Sequence, residues 1–307
     1  MSDYKYNKIL LCLTRLREEE KRIKLFLESL GFEVEICLDS ASLPLNINRT
    51  NNCIALLRNL SQKEALKRAE LLELTGVPTV NSSNSISICT NKAKQSILFE
   101  KHRIPQPSYK VAFNFEDLKK SQNYFKDGFV IKPVSSSWGR GIAKIDTKES
   151  LDAWIAARES MDVGNNHFPV LAQEYIHKGD YDIRVVIVGN KPIVAFKRVS
   201  NDSWLTNTHL GAKVEPINMN EEIQAICNKV CKILGKGIYG VDLFYDYENS
   251  LYRICEVNHN PEFSQSWKIH GVDVAKYIAS FIQDFSEILE INSFMEATDI
   301  GTENITL

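Results

Sequence analysis

No run in this chain is apolar for the length a membrane-spanning helix requires. The polar start Met1-Ser2-Asp3-Tyr4-Lys5 is not the pattern of a secretory signal. The seven cysteines contain no C-x-x-C pair, and their odd number points to reduced thiols in a cytosolic chain. Cys227 and Cys231, the nearest two, fall on one helical face, where thiols pack rather than bind zinc. An excess of positive charge is also missing. A formal net charge of −2 implies no broad basic surface and no nucleic-acid partner. The Walker pattern G-x-x-x-x-G-K-[ST] is absent, and no strand runs into a G-x-G-x-x-G that opens a helix. No Ser-His-Asp or Cys-His arrangement is evident. Lys and Arg stop at Lys276, so the end of the chain carries acidic charge only.

Three stretches carry chemistry. Gly240-Val241-Asp242-Leu243-Phe244 and Tyr252-Arg253-Ile254-Cys255-Glu256-Val257-Asn258 alternate apolar and polar residues, as half-buried strands do. Tyr247-Glu248-Asn249-Ser250 between them has turn composition, so the pair reads as a hairpin. Period-two alternation puts Glu256 and Asn258 on one face, and the hairpin brings Asp242 to them. Two carboxylates and an amide oxygen make a hard, oxygen-only set of the kind Mg²⁺ accepts together with phosphates. The bland alternative is a polar hairpin with solvated carboxylates.

The second stretch, Phe129-Val130-Ile131-Lys132-Pro133, is a strand ending in a lysine, followed by Ser135-Ser136-Ser137-Trp138-Gly139-Arg140-Gly141. The backbone N–H groups and hydroxyls of such a loop can wrap phosphate oxygens, with Lys132 as a point charge at its base. The third runs through Gln173-Glu174-Tyr175-Ile176 to Asp182-Ile183-Arg184. Its backbone could hydrogen-bond a purine, Asp182 could accept from ribose hydroxyls, and Arg184 could face phosphate.

In this order the three stretches resemble the ATP-grasp superfamily and, within it, the RimK-like branch. The resemblance runs from about Ile9 to Phe285. Trp204-Leu205-Thr206-Asn207-Thr208, Glu256-Val257-Asn258-His259-Asn260-Pro261-Glu262-Phe263 and Gly271-Val272-Asp273-Val274-Ala275 make it similar to ligases acting on an amino-group carrier protein in lysine and arginine biosynthesis (the LysX/ArgX type). Leu205 stands where the ribosomal-protein-modifying relatives have arginine, which favours the carrier-protein subgroup and removes one positive charge.

The fold implied is α/β of the ATP-grasp kind. A parallel βαβ domain (1–85) is followed by a connecting helix and small lid (86–172), a larger C-terminal domain with the metal site (173–290) and an acidic tail (291–307), with ATP between two sheets. The βαβ reading also stands on the residues. Glu18 to Leu30 has helical spacing stopped by Gly31, and Gln62 to Leu74 is stopped by Gly76. Strand-length apolar runs lie at Ile9–Leu13, Phe32–Cys37 and Cys53–Leu57. Arg15 and Arg58 fall near carboxyl ends of strands, where open α/β sheets bind ligands, or are plain surface arginines. Ser293 to Leu307 lacks sustained periodicity and reads as a loosely docked terminus or a contact with a neighbouring subunit.

The resemblance further implies ATP and Mg²⁺, with Mn²⁺ as a substitute. Asp242, Glu256 and Asn258 would be metal ligands. The nucleotide would be held by Lys92, with Lys94 a nearby competitor, and by Lys132, Ser136, Ser137, Trp138, Gly139, Arg140, Gln173, Glu174, Tyr175, Ile176, Asp182, Arg184, Thr206 and Asn207. Arg198, Lys132 and Arg184 would be catalytic, and Arg198, His259, Asn260, Glu262 and Phe263 would meet the substrate. The implied reaction is ATP-dependent carboxylate–amine ligation through an acyl phosphate, with water excluded by lid closure. The implied partners are a small acidic carrier protein ending in glutamate, an amino acid such as 2-aminoadipate or glutamate, and further copies of the chain in a dimer or tetramer. The alternatives are ligation to another peptide or small-molecule carboxylate, and a nucleotide-binding regulator without catalysis.

Overall fold

In the computed structural model the described residues are 6–43, 52–125, 127–136, 141–160, 168–199 and 213–303, with side chains described as far as 292. Three sheets organise them. The first is parallel, in the order β2-β1-β3-β4: β1 (Lys8–Leu13), β2 (Glu33–Leu38), β3 (Cys53–Arg58) and β4 (Thr79–Val80). Helix α1 (Glu18–Ser29) covers one face through Ile23 and Leu27, packed with Ile9, Leu11, Ile54 and Leu56. Helix α2 (Gln62–Leu74) covers the other with Ala65, Ala69 and Leu72, against Leu10, Cys12 and Leu57. Gly31 and Gly76 follow these helices with positive φ, which glycine adopts without steric cost. The parallel βαβ reading is therefore met.

Two helices lead out of this unit, α3 (Ser83–Cys89) and α4 (Lys92–Lys101). The Asn91 side chain accepts from the Lys94 amide and caps α4, which fixes Lys92 at its first turn. The lid follows: β5 (Tyr109–Ala112), α5 (Phe115–Tyr124), β6 (Phe129–Pro133), β7 (Ala143–Ile145), α6 (Lys148–Glu159) and β8 (Val170–Glu174). Its four strands form one antiparallel sheet in the order β5-β8-β6-β7. Gln173 and Glu174 thus belong to the lid sheet, two residues past the expected boundary.

The third sheet has the order β11-β10-β9-β12-β13, from β9 (Tyr181–Gly189), β10 (Lys191–Val199), β11 (Lys213–Pro216), β12 (Gly237–Asp246) and β13 (Leu251–Asn258). Helix α7 (Glu221–Leu234) packs Ile223, Ile226, Cys227 and Val230 onto one face. Cys227 is thus a core thiol, and all seven cysteines are free. A short helix α8 (Ser264–Ile269) follows β13, and on the other face of the sheet helix α9 (Val274–Glu303) buries Val274, Ala275, Ile278 and Ile282 with α1 and the apolar side of β9 and β10. Residues 291–303, part of the acidic tail in the sequence reading, continue α9. No helix among the described residues is long and apolar enough to cross a membrane.

The N-terminal unit is locked to the rest by buried ions. Just beyond β13, the backbone from Pro261 to Ser264 meets α1. The Glu19 carboxylate accepts the Phe263 and Ser264 amides at 2.5 and 2.7 Å. Arg58 is 2 % exposed. It donates to Glu19 at 3.0 Å, to Glu20 at 3.1 Å and to the Pro261 carbonyl at 3.1 Å, and it lies over the Phe263 ring. Arg17 completes the set on Glu20 at 2.7 Å. The reading of Arg58 as a ligand-facing or surface arginine is therefore corrected: it is a structural ion. Arg58→Met leaves two buried carboxylates short of a partner and is expected to cost about 3–5 kcal/mol. Urea unfolding measures this, and a loss below about 1 kcal/mol, the size of a surface pair, would remove the network from the account of the fold.

Candidate functional site

Strands β9, β10, β12 and β13 deliver the charged groups. Asp242 on β12 faces Glu256 across the hairpin, and Gly240 faces Asn258. On the other side of β12, Asp242 is opposite Arg184 of β9, and Arg198 of β10 is opposite Asp182. The register produces the ion pairs. Arg184 holds Asp242 through both Nε and Nη2, the latter at 2.8 Å. Arg198 holds Asp182 at 2.6 and 2.9 Å and reaches Asp242 at 3.2 Å. Asp182 is thus engaged by Arg198, and Arg184 by Asp242. Burial opposes the charge on Asp242, but Arg184 and then Arg198 hold its carboxyl below the ordinary range.

The three residues expected to hold a metal lie together. The Asn258 amide nitrogen lies 3.4 Å from carboxylate oxygens of both Asp242 and Glu256, so the three side chains converge on one point. An amide turned by half a rotation would present its oxygen there. Among the described residues no group of three His, Cys, Asp or Glu side chains is placed to hold a metal, so an ion here depends on the amide. Glu256 is also 3.3 Å from Lys92, and burial works against its charge while Lys92 keeps the carboxyl below its usual value.

The lid supplies further cations. Lys132 ends β6 and donates to Gln173 of the neighbouring β8 at 2.6 Å, with the Cys255 sulfur 3.8 Å away. Gln173 is buried, and its side chain positions Lys132. Lys92 donates to the Ser136 carbonyl at 2.6 Å, while Lys94 turns to the Ser87 hydroxyl, so Lys92 is the lysine that reaches the site. The Ser136 hydroxyl itself donates back to the Pro133 carbonyl at 3.4 Å. The Glu174 and Tyr175 amides are used by the carbonyls of Ser108 and Gly128. Of the three expected purine-facing amides, Ile176 is left with no such partner among the described residues. Ser137, Trp138, Gly139, Arg140, Thr206 and Asn207 lie outside the described residues.

Lys178 was passed over in the sequence. Burial lowers its pKa, with Asp182 working in the opposite direction and Cys255, Arg198 and Asp242 near enough to act on it. Its place four residues before Asp182, at the entrance to β9, was the available signal. Asp182, Asp242 and Glu256 thus share one region with Lys92, Lys132, Lys178, Arg184 and Arg198. That surplus of cationic groups suits a polyanion, and the oxygen set suits a hard divalent cation beside it.

The expected substrate residues divide. Phe263 is fully buried against Trp267 and under Arg58, so it is core. His259 is 5 % exposed, and Asn260 donates to the Asn59 carbonyl at 2.9 Å. Phe263 and Asn260 meet the N-terminal unit through Arg58 and Asn59, because the chain leaving β13 runs directly into that unit. Glu262 is exposed and meets Arg17 at 3.4 Å.

His259 predicts a pH effect. Burial, helped by Arg58, lowers its pKa from 6.5 to about 4. The unfolded chain therefore takes up a proton as pH falls through 6.5, while the folded chain resists until about pH 4. The neutral imidazole's contribution is present above pH 6.5 and is lost on acidification across that window, by about 3 kcal/mol in all. Unfolding free energies of wild type and His259→Gln across the window should diverge by this slope. Parallel curves would show that His259 titrates normally.

Residues 89–282 match the family model described as a RimK-like ATP-grasp domain. The chain is similar to the alpha-aminoadipate–LysW ligase LysX of Sulfurisphaera tokodaii, 33% identical over 232 residues, which are 76% of this chain and 81% of that protein. It is similar to the glutamate–LysW ligase ArgX of Sulfolobus acidocaldarius, 28% identical over 283 residues, 90% of this chain and 98% of that one. Among solved structures, the RimK domain ATP-grasp protein of Sphaerobacter thermophilus superposes with a TM-score of 0.71 at 21% identity, covering 90% of this chain and 99% of its own. That likeness concerns the fold.

Proposed function

Because this chain belongs to the RimK-like ATP-grasp family, we propose that it is an ATP-dependent carboxylate–amine ligase that joins the α-amino group of 2-aminoadipate or glutamate to the C-terminal glutamate side chain of an amino-group carrier protein, in the cytoplasm. The observation that carries the reading is the convergence of Asp242, Glu256 and Asn258 beside a surplus of lysine and arginine. The choice of carrier rests on the similarity to the LysW ligases.

A carboxylate is a poor electrophile until phosphoryl transfer gives it a leaving group, after which an amine can attack and release phosphate. The protein's share is positioning and charge neutralisation. Lys132, held by Gln173, and Lys92, held by the Ser136 carbonyl, bring two ammonium groups from the lid side. Arg198, anchored on Asp182 and Asp242, is in this reading the cation that would meet the transferred phosphoryl group and the carboxylate. Arg184 keeps Asp242 ionised, as a metal ligand must be. Mg²⁺ held by Asp242, Glu256 and the Asn258 oxygen would neutralise phosphate charge.

The test is ADP release with Mg-ATP and a carrier ending in glutamate, with 2-aminoadipate and glutamate supplied separately and the carrier weighed. Carrier-dependent ADP release with the matching mass gain is expected for one of the two. ADP release with a different carboxylate and none with the carrier would overturn the carrier reading and keep the ligase. Glu256→Gln keeps the side-chain shape and removes a ligand charge. Turnover should fall about 100-fold or more while thermal unfolding stays near wild type, and full activity would sink the metal assignment.

A further inference from the structure

Two thiols lie away from this site, in the N-terminal unit. Cys12 of β1 and Cys37 of β2 are direct register partners in adjacent parallel strands, so their side chains leave the same face of the sheet. Both are buried, in the cluster with Ala65, Ala69 and Leu72 of α2. β2 is the edge strand of its sheet, which puts Cys37 on the outermost strand and Cys12 one strand in. Asp39, two residues further on, brings a cation to the pair. Arg68 of α2 donates to the Asp39 carbonyl at 2.9 Å, is almost fully buried, and has one guanidinium nitrogen, Nη1, with no hydrogen-bond partner among the described residues.

From this arrangement we infer that Cys12 and Cys37 form a reversible disulfide on exposure to a hydroperoxide, a modification site independent of the ligase reaction. The spacing allows it. Neighbouring strands lie about 4.8 Å apart, inside the roughly 4.4–6.8 Å Cα separation that a disulfide spans.

The order of steps follows from the two environments. Contact between the thiols lowers the Cys37 pKa and raises that of Cys12, and Arg68 favours the thiolate of both. The Cys37 thiolate attacks the peroxide oxygen, the O–O bond breaks, and Cys37 becomes a sulfenic acid as hydroxide leaves. The Cys12 sulfur then attacks the Cys37 sulfur, its proton and the sulfenic OH leave as water, and the S–S bond forms. Two thiols are oxidised and one peroxide is reduced to two waters.

The other cysteines do not offer this: Cys255 lies against Lys132 of the candidate site, and burial raises its pKa. Cys227 and Cys231 stand one helical turn apart on α7, and burial pushes their thiols up to about 12 and about 11. Cys53 is opposite Lys8 and Cys89 is buried.

The experiment treats the full-length protein with hydrogen peroxide, blocks remaining thiols, and maps the peptides by mass before and after dithiothreitol. A loss of about 2 Da, carried by a Cys12–Cys37 cross-linked peptide and reversed by dithiothreitol, is expected. Cys12→Ser should lose the cross-link and leave Cys37 oxidised to the sulfenic acid, and Cys37→Ser should leave Cys12 unmodified. Thermal unfolding of both variants checks that they fold, and Cys12→Ala with Cys37→Ala serves if they do not. A cross-link between other cysteines, irreversible oxygen addition at Cys37 in the wild type, or no reaction at Cys37 would overturn the inference.

Discussion

A buried carboxylate–guanidinium network on one short stretch of backbone holds the candidate site in shape. Glu19 caps two amides, Arg58 binds a carbonyl in the same stretch, and each neutralises the other. The stretch begins three residues after Asn258, so a shift of α1 is felt at the metal strand. Asn81 fastens the same region from β4, donating to the carbonyls of Ile238 and His259. From α4, Gln95 bonds both the amide and the carbonyl of Val257 on the outer strand of the sheet. Three parts of the chain, distant in sequence, thus fix the backbone of β13 and its exit. The edge strand carrying two of the three oxygen ligands is therefore as constrained as a central one.

The site itself is electrostatically incomplete in a useful direction. Its carboxylates are all paired, yet cations outnumber them, so every cation added by a divalent metal must be matched by a polyanion arriving with it. Such a site favours a metal–phosphate unit over either part alone. The pairings also set a cost. Arg184 and Arg198 share Asp242, and a metal at that carboxylate competes with both, so Asp182 matters as the alternative anchor that keeps Arg198 in place.

Much of this was legible in the sequence because the motifs are local. Lys132 at a strand end, the hairpin with Asp242 and Glu256, and Asn91 capping the helix that begins at Lys92 each follow from a few neighbouring residues. What was not legible depends on register between strands far apart in the chain. Nothing near Asp182 in sequence announces that Arg198 will lie opposite it, or that Arg184 will lie opposite Asp242, because those pairings are set by how β9 sits between β10 and β12. The burial of Phe263 and His259 was hidden for the same reason. Their proximity to the metal strand was real, but the N-terminal unit covers them, and Arg58 lies some two hundred residues earlier in the chain.

One irregularity ties the motif to the core. Strict alternation would put Ile254 and Glu256 on the same face of β13. The structure instead buries Ile254 and Val257 together in the cluster under α7, a spacing of three that a regular strand cannot bury on one face. The register explains it: Leu243 faces Ile254, Asp242 faces Glu256, and Cys255 is the extra residue of a β-bulge. The bulge resets the phase, so the apolar residues on both sides of it reach the core while Glu256 and Asn258 both turn to Asp242. It also brings the Cys255 sulfur to Lys132. Deleting that one residue would rotate either the core contacts or the oxygen ligands onto the wrong face. The apolar pair at positions 254 and 257 is thus the sequence sign of the bulge, and the bulge is what allows a buried strand to present the candidate oxygen ligands.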